Sequence, residues 1–555
     1  MGFSPVSDAV ALGRMVRGLA TVIYRPSTPE RAQALMRRRL ARRGDLFLEM
    51  VWTCIWTRPA SPYRRLLEWA GWSFESVRES VERRGVDDTL RALADAGVRL
   101  SFDEFKGKRP IERGTMTLPC READFDNPRV LAAYADSTGG TRSSGSRVPA
   151  SMEFLTANRA PARMTMLDAL GAGHLPVIVA MQFSSGLLWW LSLAHMRRPL
   201  LRWFGLAGVA GFTLSPARGT LIALARAMAA TCRYRLAPLE LLASDGPDVL
   251  LDAVVAALAA HHGCVVTTTP SLAVRVAHLA RRRDLDLRGV VFVTQNEPLT
   301  PGKHADIVST GARAAGRYGF TEAGSIAEGC ARPASVDDAH LMTDCYGLVE
   351  DRRTLPNGRI VSGLVVTGLL SSSPKVLLNV ESDDFADVSS RRCGCLFDEM
   401  GMHVHLENIR SFSKLTGEGT TLLGTEAVQA LEEVLPREFG GTSVDYQLLE
   451  AEDADHLTRL YLLVSPSVGP VDEERVVARF LEALGGAAAG YGTLPPLWQQ
   501  SQTLRVLRRE PIATATGKLL PLHTHASVPP MSGEAGASAN AAPRTATGPS
   551  RTSGA

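Results

Sequence analysis

The sequence has few cysteines and almost no excess of charge. Eight cysteines in 555 residues are too sparse for a small secreted scaffold held together by disulfides. A formal net charge of +3, without a basic stripe interleaved with aromatic residues, argues against a nucleic-acid-binding surface. The first residues lack a basic segment followed by an apolar segment and a cleavage site, so we expect a cytoplasmic protein in a reducing compartment.

Long uninterrupted apolar runs are also missing. The stretch of membrane-like length, residues 175–196, contains Gln182, a Ser-Ser-Gly triplet (184–186) and His195. These positions favour a buried strand followed by a buried helix, and we expect no membrane span. The sequence shows no arrangement of Ser, His and Asp, or of Cys and His, that would indicate a hydrolase with an activated nucleophile.

The composition is that of a large globular protein. With 555 residues, 45% of them hydrophobic and 21% charged, the chain is too long for one core and indicates two or three domains. Residues 1–130 are mostly amphipathic helix by pattern. From 131 to 407, Val-rich runs alternate with helical stretches, which predicts βαβ units, a parallel or mixed sheet and an α/β class.

The C-terminal part has a different pattern. Residues 408–524 read as strand, helix, two strands, helix and strand, with the first strand at 420–424. This βαββαβ order predicts a small ferredoxin-like α+β domain, connected to the large part somewhere in 406–416. Residues 525–555 are rich in Pro, Gly, Ser and Ala without apolar periodicity, so we expect a disordered tail.

The segment RYGFTEAGSI (317–326) carries the most specific chemistry. Its aromatic ring, Tyr318, can stack on a purine, and the Thr321 hydroxyl can reach a phosphate. The Glu322 carboxylate can hold a magnesium ion that neutralises phosphate charge. Taken alone, the segment also fits an ordinary tight turn after a strand.

A loop rich in Gly, Ser and Thr, STGGTRSSGSRV (137–148), follows the helical-looking segment 127–136. Such a loop can turn backbone N–H groups, hydroxyls and arginine side chains toward an anion. Its alternative is a flexible surface linker. The residues that we expect around the anion are Ser137, Thr138, Gly139, Gly140, Thr141 and Arg142.

Two further segments place charged side chains next to strands. Residues 363–387 read as a strand, a Pro-containing turn and a second strand that ends in Asp383 and Asp384, where a carboxylate can bind a ribose diol. Near the C-terminus, Lys518 follows Gly517 on a short loop behind a strand. The alternatives are a solvated acidic turn and a solvated lysine.

In this order and spacing, the four segments resemble the adenylate-forming superfamily, and within it the phenylacetate–CoA ligase-like branch. The resemblance covers about residues 60 to 524. Asp384 falls on the family's ribose-binding aspartate, and Lys518 on the late lysine that bridges carboxylate and phosphate. The residues that match the family's Tyr-Gly-x-Thr-Glu turn are Tyr318, Gly319, Thr321 and Glu322.

The resemblance implies a large nucleotide-binding domain with mixed or parallel sheets and a mobile C-terminal lid. It implies ATP and magnesium as cofactors, with Lys518, Glu322 and Thr321 as catalytic residues. Three segments depart from the family. The loop 137–148 lacks the Thr-Thr-Gly-x-Pro-Lys core, Glu297 stands in the adenine-binding segment without its glycines, and Arg410 stands in the hinge segment without its acidic pair.

Four residues can supply a tetrahedral set of three sulfurs and one nitrogen for structural zinc: Cys330, His340, Cys393 and Cys395. The spacing Cys-x-Cys resembles a Cys-x-Cys-Gly segment of the same branch, some members of which carry zinc there. The alternative is a set of free thiols in loops, with His340 capping a strand.

The function implied by the resemblance is ATP-dependent activation of a carboxylic acid, with CoA or a carrier protein as the thiol acceptor. Transfer to an amine or a protein cysteine stays open, as does a non-catalytic scaffold that kept the fold. The segment 181–190 is the candidate wall of the acyl pocket, and its alternative is plain core. The apolar side chains in that wall are Phe183, Leu187, Trp189 and Trp190.

Overall fold

The structure is a computed structural model of the chain, and the helices and strands below refer to the part of the chain that it describes. Those residues are 5–130, 134–137, 147–206, 216–242, 247–354, 360–412, 414–417, 420–423, 427–428, 430–453, 455–486, 498, 503–512 and 521–523. The predicted loop residues Thr138–Arg142, Lys518 and the tail 525–555 lie outside them.

The helices, with shorter turns between them, are concentrated in the first 310 residues. They are α1 (Pro5–Tyr24), α2 (Pro29–Ala41), α3 (Arg43–Met50), α4 (Pro62–Trp69), α5 (Phe74–Asp95), α6 (Phe102–Phe105), α7 (Met152–Phe154), α8 (Ala160–Ala169), α9 (Phe183–Met196), α10 (Pro216–Thr231), α11 (Pro247–His261), α12 (Pro270–Arg282), α13 (Pro301–Val308), α14 (Leu396–Glu399), α15 (Leu435–Phe439) and α16 (Glu473–Gly486). Turns of 3-10 or π geometry cover Val51–Trp56, Glu122–Phe125, Leu155–Arg159, Ala430–Val434 and Pro466–Val468.

The strands begin near residue 111 and continue to the end of the described chain. They are β1 (Ile111–Arg113), β2 (Met116–Leu118), β3 (Tyr134–Ser137), β4 (Arg147–Ala150), β5 (Val177–Gln182), β6 (Leu200–Leu206), β7 (Leu239–Leu242), β8 (Cys264–Thr268), β9 (Val290–Thr294), β10 (Arg313–Tyr318), β11 (Ala327–Gly329), β12 (Ala339–Leu341), β13 (Tyr346–Thr354), β14 (Ile360–Gly368), β15 (Val380–Ser390), β16 (Val404–Ser411), β17 (Lys414–Gly417), β18 (Thr420–Leu423), β19 (Tyr446–Glu452), β20 (Thr458–Val464), β21 (Leu504–Arg508) and β22 (Leu522–His523).

A 12-stranded mixed sheet, in the order β13-β14-β15-β16-β12-β11-β10-β9-β8-β5-β6-β7, forms the centre of the large part. Strands β5 to β10 pair in parallel, because a helix returns the chain between most of them. Strands β11 to β16 pair antiparallel. The predicted α/β class with a mixed sheet is therefore confirmed.

Both faces of the parallel half are covered. Along β5, Val177, Val179 and Met181 join the core on one face, whereas Ile178 and Ala180 join the core on the other. This alternation follows from the two-residue period of a strand, and it explains why a strand buried on both faces reads as an unbroken apolar run. Residues 175–196 accordingly form β5 and α9, as the sequence predicts.

The lengths and apolar content of the described helices test whether any of them could span a membrane. Among them, no helix is both long enough and apolar enough to cross a lipid bilayer.

The small C-terminal part contains a four-stranded sheet in the order β21-β20-β19-β22. Side chains spaced along one face of α16, such as Val476, Phe480 and Leu484, pack on this sheet in a core of their own. The predicted first strand at 420–424 was wrong for this sheet, since Thr420–Leu423 pairs instead with Lys414–Gly417 in a separate hairpin. A strand so short can take either partner, and the local sequence does not choose between them.

A loop of the small part contacts the large part directly. Leu457 is buried in the core that covers α11 and α12. The Lys303 ammonium donates to Thr458 Oγ1 at 2.5 Å, and His456 Nδ1 lies 2.8 Å from Asp306 Oδ2. Thr458 begins β20, so the small sheet is attached to the large part next to α13.

Candidate functional site

The motif segment 317–326 forms a tight return between two strands. Strand β10 ends at Tyr318, and β11 comes back antiparallel with Tyr318 opposite Ala327. The turn needs a glycine at 319, because a Cβ on Gly319 would lie 2.0 Å from the carbonyl oxygen of Gly324. The carbonyl of Thr321 accepts a hydrogen bond from Arg159 at 3.2 Å.

Tyr318 and Asp384, which the sequence places 66 residues apart, meet in the fold. The Tyr318 hydroxyl donates to Asp384 Oδ2 at 2.7 Å. Burial and the neighbouring Asp384 carboxylate raise the pKa of Tyr318 well above its ordinary value, so the hydroxyl stays neutral and acts as a donor. The structure thus brings together the two residues that the motifs predict for adenine and ribose.

The sequence predicted that the strand ends at Asp383 and Asp384, and this prediction was wrong. Strand β15 runs on to Ser390, and the pairing with β16 shifts register between Phe385 and Asp387. Asp383 has a φ of 64°, in the left-handed region, just before this irregularity. A local backbone distortion inside the strand, rather than a strand end, therefore orients the Asp384 carboxylate.

Glu322 lies beside a cation that the sequence analysis did not single out. Its side chain is 6% exposed and forms an ion pair with Lys106. Lys106 also lies 3.1 Å from Glu122 Oε1. Burial opposes ionisation of Glu322, but the attraction and hydrogen bond of Lys106 outweigh it, and the pKa of Glu322 is lowered. Glu322 is therefore a carboxylate at neutral pH.

The carboxylates of Glu322 and Glu122 are suitable ligands for magnesium. Two carboxylates, Glu322 and Glu122, share one ammonium, so one negative charge is left over. Lys375 lies next to these carboxylates, because its ammonium donates to the backbone carbonyl of Glu122 at 3.0 Å, but its ion pair is with Asp126 Oδ1 at 2.6 Å. Carboxylate oxygens in excess of cations are the hard donors that magnesium takes, and the residues present fit the ion.

Two other predicted residues, Glu297 and Arg410, are engaged within the protein. The Glu297 carboxylate accepts from the Ser271 hydroxyl at 2.6 Å, at the start of α12, and lies 3.6 Å from Lys303 Nζ. In the pairing of β15 with β16, Arg410 lies opposite Phe385, the residue that follows Asp384. Its guanidinium donates to Asp337 Oδ2 at 3.2 Å. Contact of either residue with a nucleotide stays a prediction.

The candidate acyl wall lies on α9 and is buried. Phe183 is 6% exposed, and the other three side chains of the wall are almost fully buried in the large core. Trp189 Nε1 donates to Gln295 Oε1 at 3.2 Å, and the guanidinium of Arg163 lies 4.2 Å from the ring centroid of Trp189. Trp189 thus connects α9 to the segment after β9, close to the motif strand β10.

Of the predicted phosphate-binding residues, the structure describes only Ser137. Ser137 belongs to β3, whose backbone pairs with β4. Thr138 to Arg142 and Lys518 lie outside the described residues, and their roles stay predictions.

The four residues predicted for zinc are brought together from three places in the chain. One ligand atom from each lies within 4.8 Å of every other in the group Cys330, His340, Cys393 and Cys395. His340 is inside β12, and its Nε2 lies 3.1 Å from Cys395 Sγ and 3.4 Å from Cys393 Sγ. A hydrogen bond from the Cys330 thiol lowers the pKa of Cys395 well below its ordinary value, so a thiolate is favoured there.

The surroundings of this group orient its donors toward one point. The carbonyl oxygen of Met402 accepts from His340 Nδ1 at 2.9 Å, which leaves the Nε2 lone pair facing the thiols. Backbone N–H groups of Arg332 and Cys395 point at the sulfurs of Cys330 and Cys393, at 3.3 and 3.4 Å. Three sulfurs and one imidazole nitrogen fit a tetrahedral ion of the zinc type.

Sequence reasoning missed Lys106, Glu122 and Lys375. The segment 102–111 reads as a connection, and nothing in it distinguishes the half-buried Lys106 from the exposed Lys108 two residues later. The only local signal is the capping box of Ser101 and Glu104, which predicts the short helix α6 ahead of Lys106.

Comparison with known proteins gives likeness at the level of structure only. No family model matches the chain, and no curated protein matches it. A substituted form of the amide bond synthetase McbA from Marinactinospora thermotolerans aligns at 16% identity and a TM-score of 0.40, over 83% of this chain and 91% of that one.

Two further solved structures align over most of this chain. The anthranilate CoA ligase AuaEII in complex with anthranoyl-AMP aligns at 12% identity and a TM-score of 0.32, over 93% of this chain and 97% of that one. An acyl-CoA synthetase from Brucella canis aligns at 14% and 0.30, over 83% and 85%. These similar structures are of adenylate-forming enzymes, and at such identities and TM-scores they indicate nothing about the acid or the acceptor of this chain.

Proposed function

We propose that the protein activates a carboxylic acid with ATP, releases pyrophosphate, and passes the acyl group to a thiol of CoA or a carrier protein. The observation that carries the proposal is the hydrogen bond between Tyr318 and Asp384, at the strand end that leads into Glu322. An aromatic ring and a carboxylate held in this way suit a purine and a ribose diol, with the carboxylate of Glu322 toward the phosphates.

The chemistry of such a site is mainly electrostatic. A carboxylate that attacks the α-phosphate of ATP must overcome repulsion between two anions, so positive charge and oriented dipoles matter more than acid or base catalysis. Magnesium, held by Glu322, would neutralise part of the phosphate charge. The loop 137–147 and Lys518 would provide the remaining donors, and Lys518 would contact both reactants in the transition state.

The second half-reaction transfers the acyl group to an acceptor. In the proposed cycle the C-terminal part turns about 406–416 after adenylation, withdraws Lys518 and opens a path for the thiol. An amine or a protein cysteine as acceptor would need the same first half-reaction. A scaffold without activity would need none of the three groups, Lys518, an ionised Glu322 and a ribose-binding Asp384.

Isotope exchange between ATP and pyrophosphate tests the first half-reaction without an acceptor. We expect exchange that depends on an aryl or medium-chain aliphatic acid. Asp384→Asn should reduce it about a hundredfold or more, because a charge-assisted hydrogen bond to the ribose is lost. Asp387→Asn, the same change three residues along β15, is the matched control and should leave exchange unchanged. Equal exchange in all three proteins would contradict the assignment of Asp384.

Structural zinc in the group Cys330, His340, Cys393 and Cys395 is the second part of the proposal. Its support is the mutual distance of the four ligand atoms and the orientation of His340 by Met402. Such an ion would tie the segment around β11 and β12 to the turn before α14, and thereby stabilise the antiparallel half of the sheet, which includes the strand that carries Asp384.

Substitutions on α9 test whether its aromatic face selects the acid. Phe183→Ala or Trp189→Ala should change which acids support exchange, since removing apolar wall alters binding by about 25 cal/mol per Å² of the acid's buried surface. Leu191→Ala, on the same helix and fully buried, is the control and should lower stability without changing the order of acids. A uniform fall of all rates in the Phe183 and Trp189 variants would assign the segment to the core.

A further inference from the structure

Lys106 is a lysine with an uncommon environment. Its side chain is only 11% exposed, and its ammonium contacts the carboxylates of both Glu122 and Glu322. The ammonium also lies 5.7 Å and 5.9 Å from the ring centroids of Phe102 and Phe105, on the short helix that precedes it. The aromatic faces and the two carboxylates together hold a positive charge at this point.

We propose that Lys106 is a built-in counter-ion that occupies the cation position beside Glu322 and keeps a divalent ion out until a nucleotide arrives. Lys106 is thus a positioning residue for the metal step of the proposed function, on which the inference rests. The metal would enter with ATP rather than before it.

Counting charges explains why the ammonium and a free divalent ion compete. Glu122 and Glu322 carry two negative charges and Lys106 one positive charge, so the unliganded group has a net charge of about −1. A free divalent ion would meet a buried ammonium at the oxygens that it needs, and like charges this close repel strongly. Lys375 is a second nearby cation: its ammonium donates to the backbone carbonyl of Glu122 at 3.0 Å, and its charge also helps to lower the pKa of Glu322. Because it pairs with Asp126, counting both leaves the net charge at about −1.

A nucleotide removes this competition. The phosphates bring several negative charges with the metal, and the Lys106 ammonium can then move from the carboxylates toward the phosphates. Lysine suits this exchange because its charge is a point on a flexible stem that can change partners. The same residue would therefore hold Glu322 before binding and add positive charge after it, in a chain whose phosphate loop has no lysine of its own.

Manganese binding to the nucleotide-free protein, followed by electron paramagnetic resonance, tests the inference. Wild type should bind the ion weakly. Lys106→Met leaves the buried Glu322 and the half-buried Glu122 without their shared counter-charge, so the ion should bind at least about tenfold more tightly. Lys106→Arg keeps the charge and should bind as weakly as wild type. Adding Glu122→Gln to Lys106→Met should return the affinity toward the wild-type value.

Lys108→Met is the matched control, because Lys108 lies in the same loop but is exposed and 3.8 Å from Asp103. It should bind manganese as wild type does. If Lys106→Met does not fold, Lys106→Gln replaces it, since glutamine can still donate to both carboxylates without carrying charge. Equal manganese affinity in wild type and in the uncharged variant would overturn the inference.

Failure of this inference is distinct from failure of the proposed function. The binding measurement needs neither acid nor turnover, so it gives a result even if no acid supports exchange. A second readout uses the same proteins with ATP present. The difference in manganese affinity between wild type and Lys106→Met should shrink or reverse, because the phosphates then need the missing charge. A difference that stays the same with ATP would contradict the proposed order of binding.

Discussion

Replacing Lys518 with alanine is expected to abolish formation of the acyl-adenylate while leaving the folded protein almost as stable as wild type. The sequence predicts that Lys518 stands on a short loop, where a lysine costs little to remove from the folded state. A charge that is met only in the transition state is worth about 3 kcal/mol or more, which corresponds to a rate loss of about a hundredfold or more. The measurement is pyrophosphate exchange together with thermal unfolding of the same preparation.

The matched variant for this experiment is Lys518→Arg. It keeps the charge but changes its shape, so it should retain part of the exchange that alanine loses. Undiminished exchange in Lys518→Ala would remove this lysine from the mechanism. A large drop in unfolding temperature would show that it acts through the fold.

Replacing Cys393 with serine is expected to cost the protein both its zinc and a large part of its stability. The wild-type protein should contain close to one equivalent of zinc. The variant should lose it and unfold about 5 to 10 °C lower, because the binding free energy of a structural ion is also folding free energy. Elemental analysis and thermal unfolding measure the two effects.

Cys232→Ser serves as the control for the loss of a thiol, because Cys232 is free, half-buried and outside the group. It should keep the zinc and the unfolding temperature. Wild-type protein that is metal-free, stable and fully active would rule out structural zinc at this group.

The sequence predicts those site residues that lie close together in the chain as one motif. Tyr318, Gly319 and Glu322 stand in one turn, and the requirement for glycine at 319 is a local backbone contact. Val-rich runs such as Cys264–Thr268 and Val290–Thr294 became buried parallel strands, because burial on both faces leaves a continuous apolar signature. These features depend on nearby residues, and sequence patterns record them.

Features that depend on distant partners were missed or predicted incorrectly. The segment 127–136 has helical composition, yet no helix forms there in the described residues, and its last part, from Tyr134, pairs with β4. Its first residue, Asn127, donates from its side chain to the carbonyls of Ser371 and Ser373, and the backbone then makes a turn in which Val130 N–H donates to the Asn127 carbonyl at 3.1 Å. Tertiary hydrogen bonds of this kind override local propensity.

Lys106 shows the same limit at the site itself. Its role depends on Glu322, 216 residues away, and on Glu122, so no window of sequence contains the set. The register irregularity that orients Asp384 is likewise a property of three paired strands. Ion pairs between residues far apart in the chain, and the register of paired strands, are therefore not predictable from local sequence patterns.

The most direct test of acid activation follows oxygen atoms. An acid that supports exchange is labelled with heavy oxygen in its carboxylate and incubated with enzyme and ATP, and hydroxylamine serves as the acceptor. If an acyl-adenylate forms, the acceptor attacks the carbonyl carbon, and AMP leaves with one labelled oxygen from the acid. Mass spectrometry should therefore find AMP one heavy oxygen richer. Unlabelled AMP, or ADP with labelled phosphate, would contradict the account.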